Sequence, residues 1–529
     1  MDDKQFTLRG FFIGLFGLIV ITASSMYVAL RMGALPWPTI FVTVVSFALL
    51  NLFKKKPTLQ EVNVTHTMMS AGAMVAGGLA FTLPGIWIIN PEIEFPIFQM
   101  IALSLAGAIL GILFTILFRQ NLIEKEKLVF PMGVASYNTL VAGDKGGKDA
   151  KILFSSMGGS AVFTLFRDGL KKIPAVFTIF GPSAYTPTLS IWLSPMALGI
   201  GAIIGPVLAY VWLGGCVFAN FIMQPIGIKL GWFASTEVAV VFKSNLGIGL
   251  LIGTGIAVAL KIFYSKAKAL IKKDKTKTSP ISNKKILLVF ICILLVVLGI
   301  TFFTEVSFLQ AIVSVILISL VTYISGSLTG QTGINPMEIF GILVLLAVGL
   351  IWKPSLIAAF TIASITAVAC GLSGDVMNDL KSGYMLKTNV KAQISAEAIG
   401  GIIGAVLSVF ILLVMKKAFG GFGTSALPAP QANAVAAMVN GLGNQKAFFL
   451  GIAIGILLHL LKVPTATLGL GVYLPVQISM IMGLGAVSVS IFSPKNKNND
   501  KSLSLIASGL LGGEGITGVA IAILSIFVL

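Results

Sequence analysis

Four long stretches of the chain carry no Asp, Glu, Lys or Arg: Val62–Pro91, Ile173–Ile228, Val306–Met337 and Val463–Pro494. A bilayer crossing needs about 20 apolar residues, so each is long enough to hold one. The apolar runs predict crossings at Gly10–Leu30, Pro36–Phe53, Thr67–Ile89, Ile97–Phe118, Ser244–Leu260, Ile286–Thr304, Ser307–Ser325, Ile339–Ile351, Leu356–Leu372, Ala398–Val414 and Phe448–Leu461. Two or three more are expected in Ile173–Ile228, at least one in Val463–Pro494, and the last in Leu503–Leu529. Val129–Ala142 and Leu427–Gly441 are too short, or too broken by Pro and Gly, for plain spans. They read as re-entrant segments, which a membrane tolerates where backbone is buried in protein or lines a cavity. The expected fold is all-α: a polytopic membrane protein of about 14–16 transmembrane helices, some re-entrant or broken.

Composition agrees. The 529 residues are 56% hydrophobic and 11% charged, with a mean hydropathy of +0.98. A soluble protein carries roughly 25% charged residues, which excludes a water-soluble enzyme. Cys216, Cys292 and Cys370 lie far apart in apolar runs, and His66 and His459 are the only histidines. No disulfide framework and no histidine metal cluster follows. The net charge of +18 does not indicate nucleic acid here, because Lys and Arg sit mostly between the spans. That is the asymmetry of a membrane protein. Lys54–Lys56, then Arg119, Lys125 and Lys127, then the insert Lys261–Lys285 all fall on one side. Basic loops stay cytoplasmic, so the N-terminus is expected in the cytoplasm. The stretch Gly10–Leu30 reads as a retained first helix, not a cleaved signal.

The basic insert divides the chain into an N-terminal membrane half, residues 1–260, a basic cytoplasmic linker, 261–285, and a C-terminal membrane half, 286–529. The halves show faint similarity. Gly133–Val162 and Gly374–Val406 each run from a Gly through a polar, Gly- and Lys-bearing stretch, read as a loop, to a helix with paired glycines, Gly158-Gly159 and Gly400-Gly401. Late in each half an acid accompanies a Gly-rich segment, Glu237 and Glu514. Internal duplication is the expectation, as in many secondary transporters.

Candidate chemistry sits where the apolar pattern breaks. In Ser325–Gly341, SGSLTGQTGINPMEIFG, Pro336 removes a backbone donor and the glycines allow close approach. Such a break exposes carbonyls and amides to a solute, although an ordinary loop would read the same way. In Ser425–Asn433, SALPAPQAN, two prolines precede Gln431 and Asn433, which offer donors and acceptors to a zwitterion or chelate. A solvated helix start is the alternative. The site is expected where the two breaks meet, with Asn335, Gln431 and Asn433 as solute contacts. Glu237, Glu397 and Glu514 are acids in apolar context, and an ionisable group in a bilayer is a functional hypothesis by default. Glu237 and Glu514 are the expected proton carriers. Glu397 is less specific because Lys391 is near, and Glu338 reads as a first-turn acid favoured by the helix dipole. His66 reads as a hydrogen-bonded interface residue. Gly72, Ala76 and Ala80, like Gly201 and Gly205, have the spacing of close helix packing. Gly143–Lys148 lacks the spacing of an ATP-binding loop and the Ser or Thr after Lys.

The chain resembles the oligopeptide transporter family, which includes the yellow stripe-like metal-chelate transporters. The resemblance is carried in order by RGFFIGLFGLIVITASSMYVALRMG, EVNVTHTMMSAGAMVAGGLAFTLPG, EKLVFPMGVASYNTLVAG, TGQTGINPMEIFG, GDVMNDLKSGYMLKTNVKAQISAEAIGG, LPAPQA, LGVYLPVQISMIMGLGA and SGLLGGEGITG. It departs at Leu386-Lys387-Thr388-Asn389, where the family often has a Gly/Ala/Thr/Pro-rich piece. The resemblance implies a secondary transporter of about 16 helices, coupled to protons; the expected location is the plasma membrane. The implied solutes are short peptides or metal chelates, with metal entering only as part of a chelate and no cofactor besides the coupling proton. The expected partners are that solute and the lipid bilayer, with a homodimer open. A passive channel would show rings of like residues. A membrane-embedded enzyme would need a catalytic set that neither Asp375 with Asp379 nor Arg167 with Asp168 completes in sequence.

Overall fold

A computed structural model describes residues 5–32, 39–145, 147–182, 185–272, 283–424, 427–439, 443–492 and 497–528. The chain is an all-α polytopic membrane protein. The first half holds α1 (Leu8–Met32), α2 (Thr39–Asn51), α3 (Leu59–Ala80), α4 (Pro84–Ile89), α5 (Ile97–Arg119), α6 (Pro131–Lys145) and α7 (Gly147–Thr164). The antiparallel hairpin of β1 (Val176–Phe180) and β2 (Leu189–Trp192) follows, then α8 (Pro195–Ile204), α9 (Pro206–Val217), α10 (Gln224–Lys229) and α11 (Thr236–Lys272). The second half holds α12 (Asn283–Phe303), α13 (Phe308–Thr332), α14 (Met337–Gly349), α15 (Leu356–Leu386), α16 (Val390–Ala418), α17 (Pro430–Met438), α18 (Gln445–Leu460), α19 (Thr465–Tyr473), α20 (Val476–Phe492) and α21 (Lys497–Val528). Among the described residues, eight helical segments are long and apolar enough to cross a membrane, and six shorter apolar helices accompany them.

The run Ile173–Ile228 departs from the expected two or three crossings. Its first part is the β-hairpin, whose first strand is exposed along its whole length. Then α8 stops after ten residues, because Gly205 takes φ +87° and Pro206 opens the next helix. From Pro206 a single 24-residue span runs to Lys229, through a π-helical turn at Phe218–Met223. The Asn-Pro break is also shorter than its sequence reads. Helix α13 continues through the glycines to Thr332 and is stopped by Gly333 at φ +71°, so only Gly333–Pro336 separates it from α14. Most consequential is α15. The stretch from Gly374, read as a polar loop, is the second half of a 31-residue helix that is almost entirely buried. The same holds for Gly133–Lys145, which is helical as α6. Part of the basic insert, residues 273–282, lies outside the described residues, as do the start of the expected span at Pro36 and Ser425.

Small residues knit the bundle. A Cβ on Gly249 would stand 2.2 Å from the Phe448 carbonyl oxygen, and one on Gly404 2.5 Å from the Gly72 Cα. One on Gly513 would stand 2.2 Å from the Met157 carbonyl oxygen. Small residues let backbones approach where lipid supplies no hydrophobic drive between helices. These contacts pair α11 with α18, α3 with α16 and α7 with α21, so close packing joins the two sequence halves. The expectation of packing at Gly201 holds, 2.1 Å from the Met482 carbonyl, whereas Gly205 faces open space and serves the turn. The paired glycines of the two halves differ: Gly158 and Gly159 face open space, while Gly400 meets the Met68 carbonyl.

Candidate functional site

Helix α15 starts at Ser355, whose hydroxyl caps the Ala358 amide, and has no Pro to stop it before Leu386. It carries Asp375 and Asp379 into the core, both at 0% exposure. At i and i+4 they share a helix face, and like charges so placed repel. Helix α3 faces them with a matching pair, His66 and Ser70, also i and i+4 and fully buried. His66 Nε2 lies 3.3 Å from Asp379 Oδ1, and Ser70 Oγ donates to Asp379 Oδ2 at 2.7 Å. Thr39, at the start of α2, donates to Asp375 Oδ1 at 3.2 Å. Glu397 comes from α16, is fully buried, and stands within electrostatic range of both aspartates.

The remaining valences are open. Asp375 Oδ2, both carboxyl oxygens of Glu397 and His66 Nδ1 have no hydrogen-bond partner among the described residues. Lys391, one candidate partner for Glu397, is exposed. Lys381 donates instead to the Leu128 carbonyl at 2.7 Å. Three carboxyl groups are therefore buried without a Lys or Arg bridging any of them among the described residues. Around them the frame is fixed. Gln393 Nε2 donates to the Asp379 carbonyl at 2.6 Å, and Ser382 Oγ donates to Asn63 Oδ1 at 3.0 Å. A Cβ on Gly374 would stand 2.5 Å from Asn335 Nδ2, so the Asn-Pro break abuts the residue before Asp375.

Asn335 itself braces the break. Its Oδ1 accepts from Ser325 Oγ at 2.8 Å and its Nδ2 donates to the Cys370 carbonyl at 2.8 Å. The second break is elsewhere on α15. Gly85 contacts both Phe360 and the Ala432 carbonyl, which puts the start of α17 near Phe360. Phe360 and Cys370 are about 15 Å apart along a helix. Gln431 is half-buried, and Asn433 is exposed and donates to the Pro428 carbonyl at 2.7 Å. Glu237 is exposed in the first turn of α11 and accepts from Ser235 Oγ at 2.6 Å. Glu514 is buried, but its oxygens accept from Arg167 Nη2 at 2.8 Å, Ser194 Oγ at 2.9 and 3.0 Å and the Met196 amide at 2.7 Å. The five sequence-derived site residues are thus not brought into one place. Sequence reasoning missed the partnership of His66 with Asp379, because the aspartates were read as loop residues. Their i, i+4 spacing in a segment without Pro is the signal that was available.

Among the described residues no group of three or more His, Cys, Asp or Glu is arranged to hold a metal ion. A multi-pass bundle with a broken helix against a buried acid cluster is the build of a solute carrier, and the comparisons agree. The model of the OPT oligopeptide transporter protein family matches residues 5–525, and the chain belongs to that family. It is similar to a "Putative oligopeptide transporter" of Haemophilus influenzae, 24% identical over 94% of this chain and 92% of that protein. It is also similar to the "Probable metal-nicotianamine transporter YSL11" of Oryza sativa subsp. japonica, 22% identical over 99% of this chain and 88% of that protein. The "Metal-nicotianamine transporter YSL3" of Arabidopsis thaliana is 24% identical over 79% of this chain and 72% of its own length. The chain is a transporter and not an enzyme.

Proposed function

We propose that the chain is a proton-coupled symporter of short peptides or peptide-like metal chelates in the plasma membrane, with its N-terminus in the cytoplasm. The observation that carries the coupling is the trio Asp375, Asp379 and Glu397, buried together with no ion-paired Lys or Arg among the described residues. Several like charges in a low-dielectric core repel strongly, and a shared proton relieves them. We assign proton transfer to this trio and His66 in preference to Glu237, which is exposed, and Glu514, which is ion-paired. The titratable groups facing one another are Asp375 and Asp379 from α15, Glu397 from α16 and His66 from α3. Asn335, against Gly374, links this proton site to the broken helix, and Gln431 remains a solute contact. Metal enters only within the chelate. The relatives' names motivate both solute classes.

The test uses purified full-length protein in vesicles, screened with short peptides and nickel–nicotianamine. Glu397→Gln keeps shape and removes the titration. It should still exchange bound solute across the membrane and should lose accumulation driven by an imposed pH gradient. Wild-type-like accumulation by both Glu397→Gln and Asp375→Asn would remove the cluster from coupling.

A further inference from the structure

One buried cation is left over by the acid cluster. Lys243 lies two turns into α11, in an apolar span, and is 6% exposed. Its ammonium donates to Asn220 Oδ1 at 2.7 Å. Asn220 is fully buried on the π-helical turn Phe218–Met223, and its own amide donates to the Cys216 carbonyl at 2.9 Å. Both partners are neutral. Among the described residues no carboxylate stands within 4 Å of Lys243. An ammonium has three donors, and a buried one without a counter-charge is costly in lipid. Gln224, one turn beyond Asn220, is also fully buried, with its carbonyl oxygen unpartnered. Its amide faces the Tyr185 carbonyl at 3.4 Å, and Lys229 lies over the Tyr185 ring at 5.4 Å. A polar column with a cation near each end therefore runs inward along this span.

That column leads toward the proton site. Gly247, one turn beyond Lys243, touches Tyr473, where a Cβ would stand 2.8 Å from the tyrosine Cβ. Tyr473 lies within electrostatic range of Glu338, in the first turn of α14 just after the Asn-Pro break. Asn335 on that break adjoins Gly374, the residue before Asp375. Neighbouring residues thus run stepwise from Lys243 toward the acid cluster.

We propose that Lys243, seated on Asn220, is a carboxylate-recognising subsite on the solute path, and that the transported solute carries an anionic group. This rests on the transport reading and narrows its solute class. A carboxylate would take the two free ammonium donors and supply the missing counter-charge. A positive site would also raise the local concentration of anionic solutes.

The experiment compares wild type, Lys243→Met and Lys243→Arg, all full length, by thermal stabilisation with two probe pairs. One pair is trialanine and its C-terminal amide. The other is nickel–nitrilotriacetate and nickel–triethylenetetramine, a chelate without carboxylates. Wild type should bind the carboxylate member of at least one pair about tenfold or more tightly than its mate. Lys243→Met should bind both members alike, and Lys243→Arg should keep the preference. A preference retained by Lys243→Met, or absent from a wild type that binds, rejects the subsite. If wild type binds none of the four probes, the solute classes are left to the vesicle screen above, and Lys243 is judged by melting without solute. A higher melting temperature for Lys243→Met then supports a buried cation awaiting an anion. A lower one rejects it, marking Lys243 as a structural peg for Asn220.

Discussion

Glu514→Gln separates a structural acid from a coupling acid. In the wild type one carboxyl oxygen faces Arg167 Nη2 and the other faces the Met196 amide, while Ser194 Oγ touches both. In the glutamine, nitrogen replaces one oxygen and meets either Arg167 or the amide, donor against donor. One charge-assisted hydrogen bond is lost with its donor left buried, about 1.5–3 kcal/mol. That is roughly a 10–150-fold change in the folded population. Glu514→Leu removes every acceptor, and breaking a buried pair from one side costs about 3–5 kcal/mol. Arg167 keeps Asp168 at 2.5 and 2.7 Å, so the leucine variant should fall at the lower end of that range. The assay is the half-life of the folded protein in detergent at fixed elevated temperature, read by gel filtration, because unfolding of such proteins is governed by a rate. Half-lives should fall in the order wild type, Glu514→Gln, Glu514→Leu. Below the melting range, Glu514→Gln in vesicles should still accumulate solute under a pH gradient. A glutamine variant with wild-type half-life and no pH-driven accumulation would refute this reasoning and make Glu514 the proton carrier.

Gly249→Val should strip α18 from α11, because the new Cβ meets the Phe448 carbonyl at 2.2 Å. Overpacking of this kind costs about 1–3 kcal/mol, and a drop in melting temperature should follow; an unchanged melt would mean the contact is loose. A cysteine placed at Lys275, in a Cys292→Ser background, should be labelled by an impermeant thiol reagent only from the cytoplasmic face, and labelling of intact cells from outside would invert the topology.

The membrane class, most span positions and the family were legible because charge-free runs of bilayer length have few alternatives. The candidate site was not. Asp375, Asn378, Asp379 and Lys381 within a few residues look like a loop, since a lone helix could not carry them through lipid. In the bundle His66 and Ser70 of α3 meet the Asp379 carboxylate and Gln393 of α16 donates to its carbonyl, while Asn378 accepts from the Gly133 amide and Lys381 donates to the Leu128 carbonyl. That compensation comes from far along the chain and leaves no local trace. Glu514 misled for the same reason in reverse: its sequence neighbours offer no cation, but Arg167 does. Lys243 was hidden by its context, a single Lys near the start of a span, where a solvated position is the ordinary reading.

The packing of α3 against α16 also sets a schedule. Gln393 donates to Thr67 across 326 residues of sequence. At about 5–20 residues per second of synthesis, α3 waits roughly 16–65 s for the helix that covers it. During that interval its glycine groove and its polar residues Asn63, His66 and Ser70 have no α15 or α16 to meet. Lipid offers those side chains nothing to bond. The first half of this transporter must therefore be sheltered by the insertion machinery, or held near the water interface, until the second half arrives.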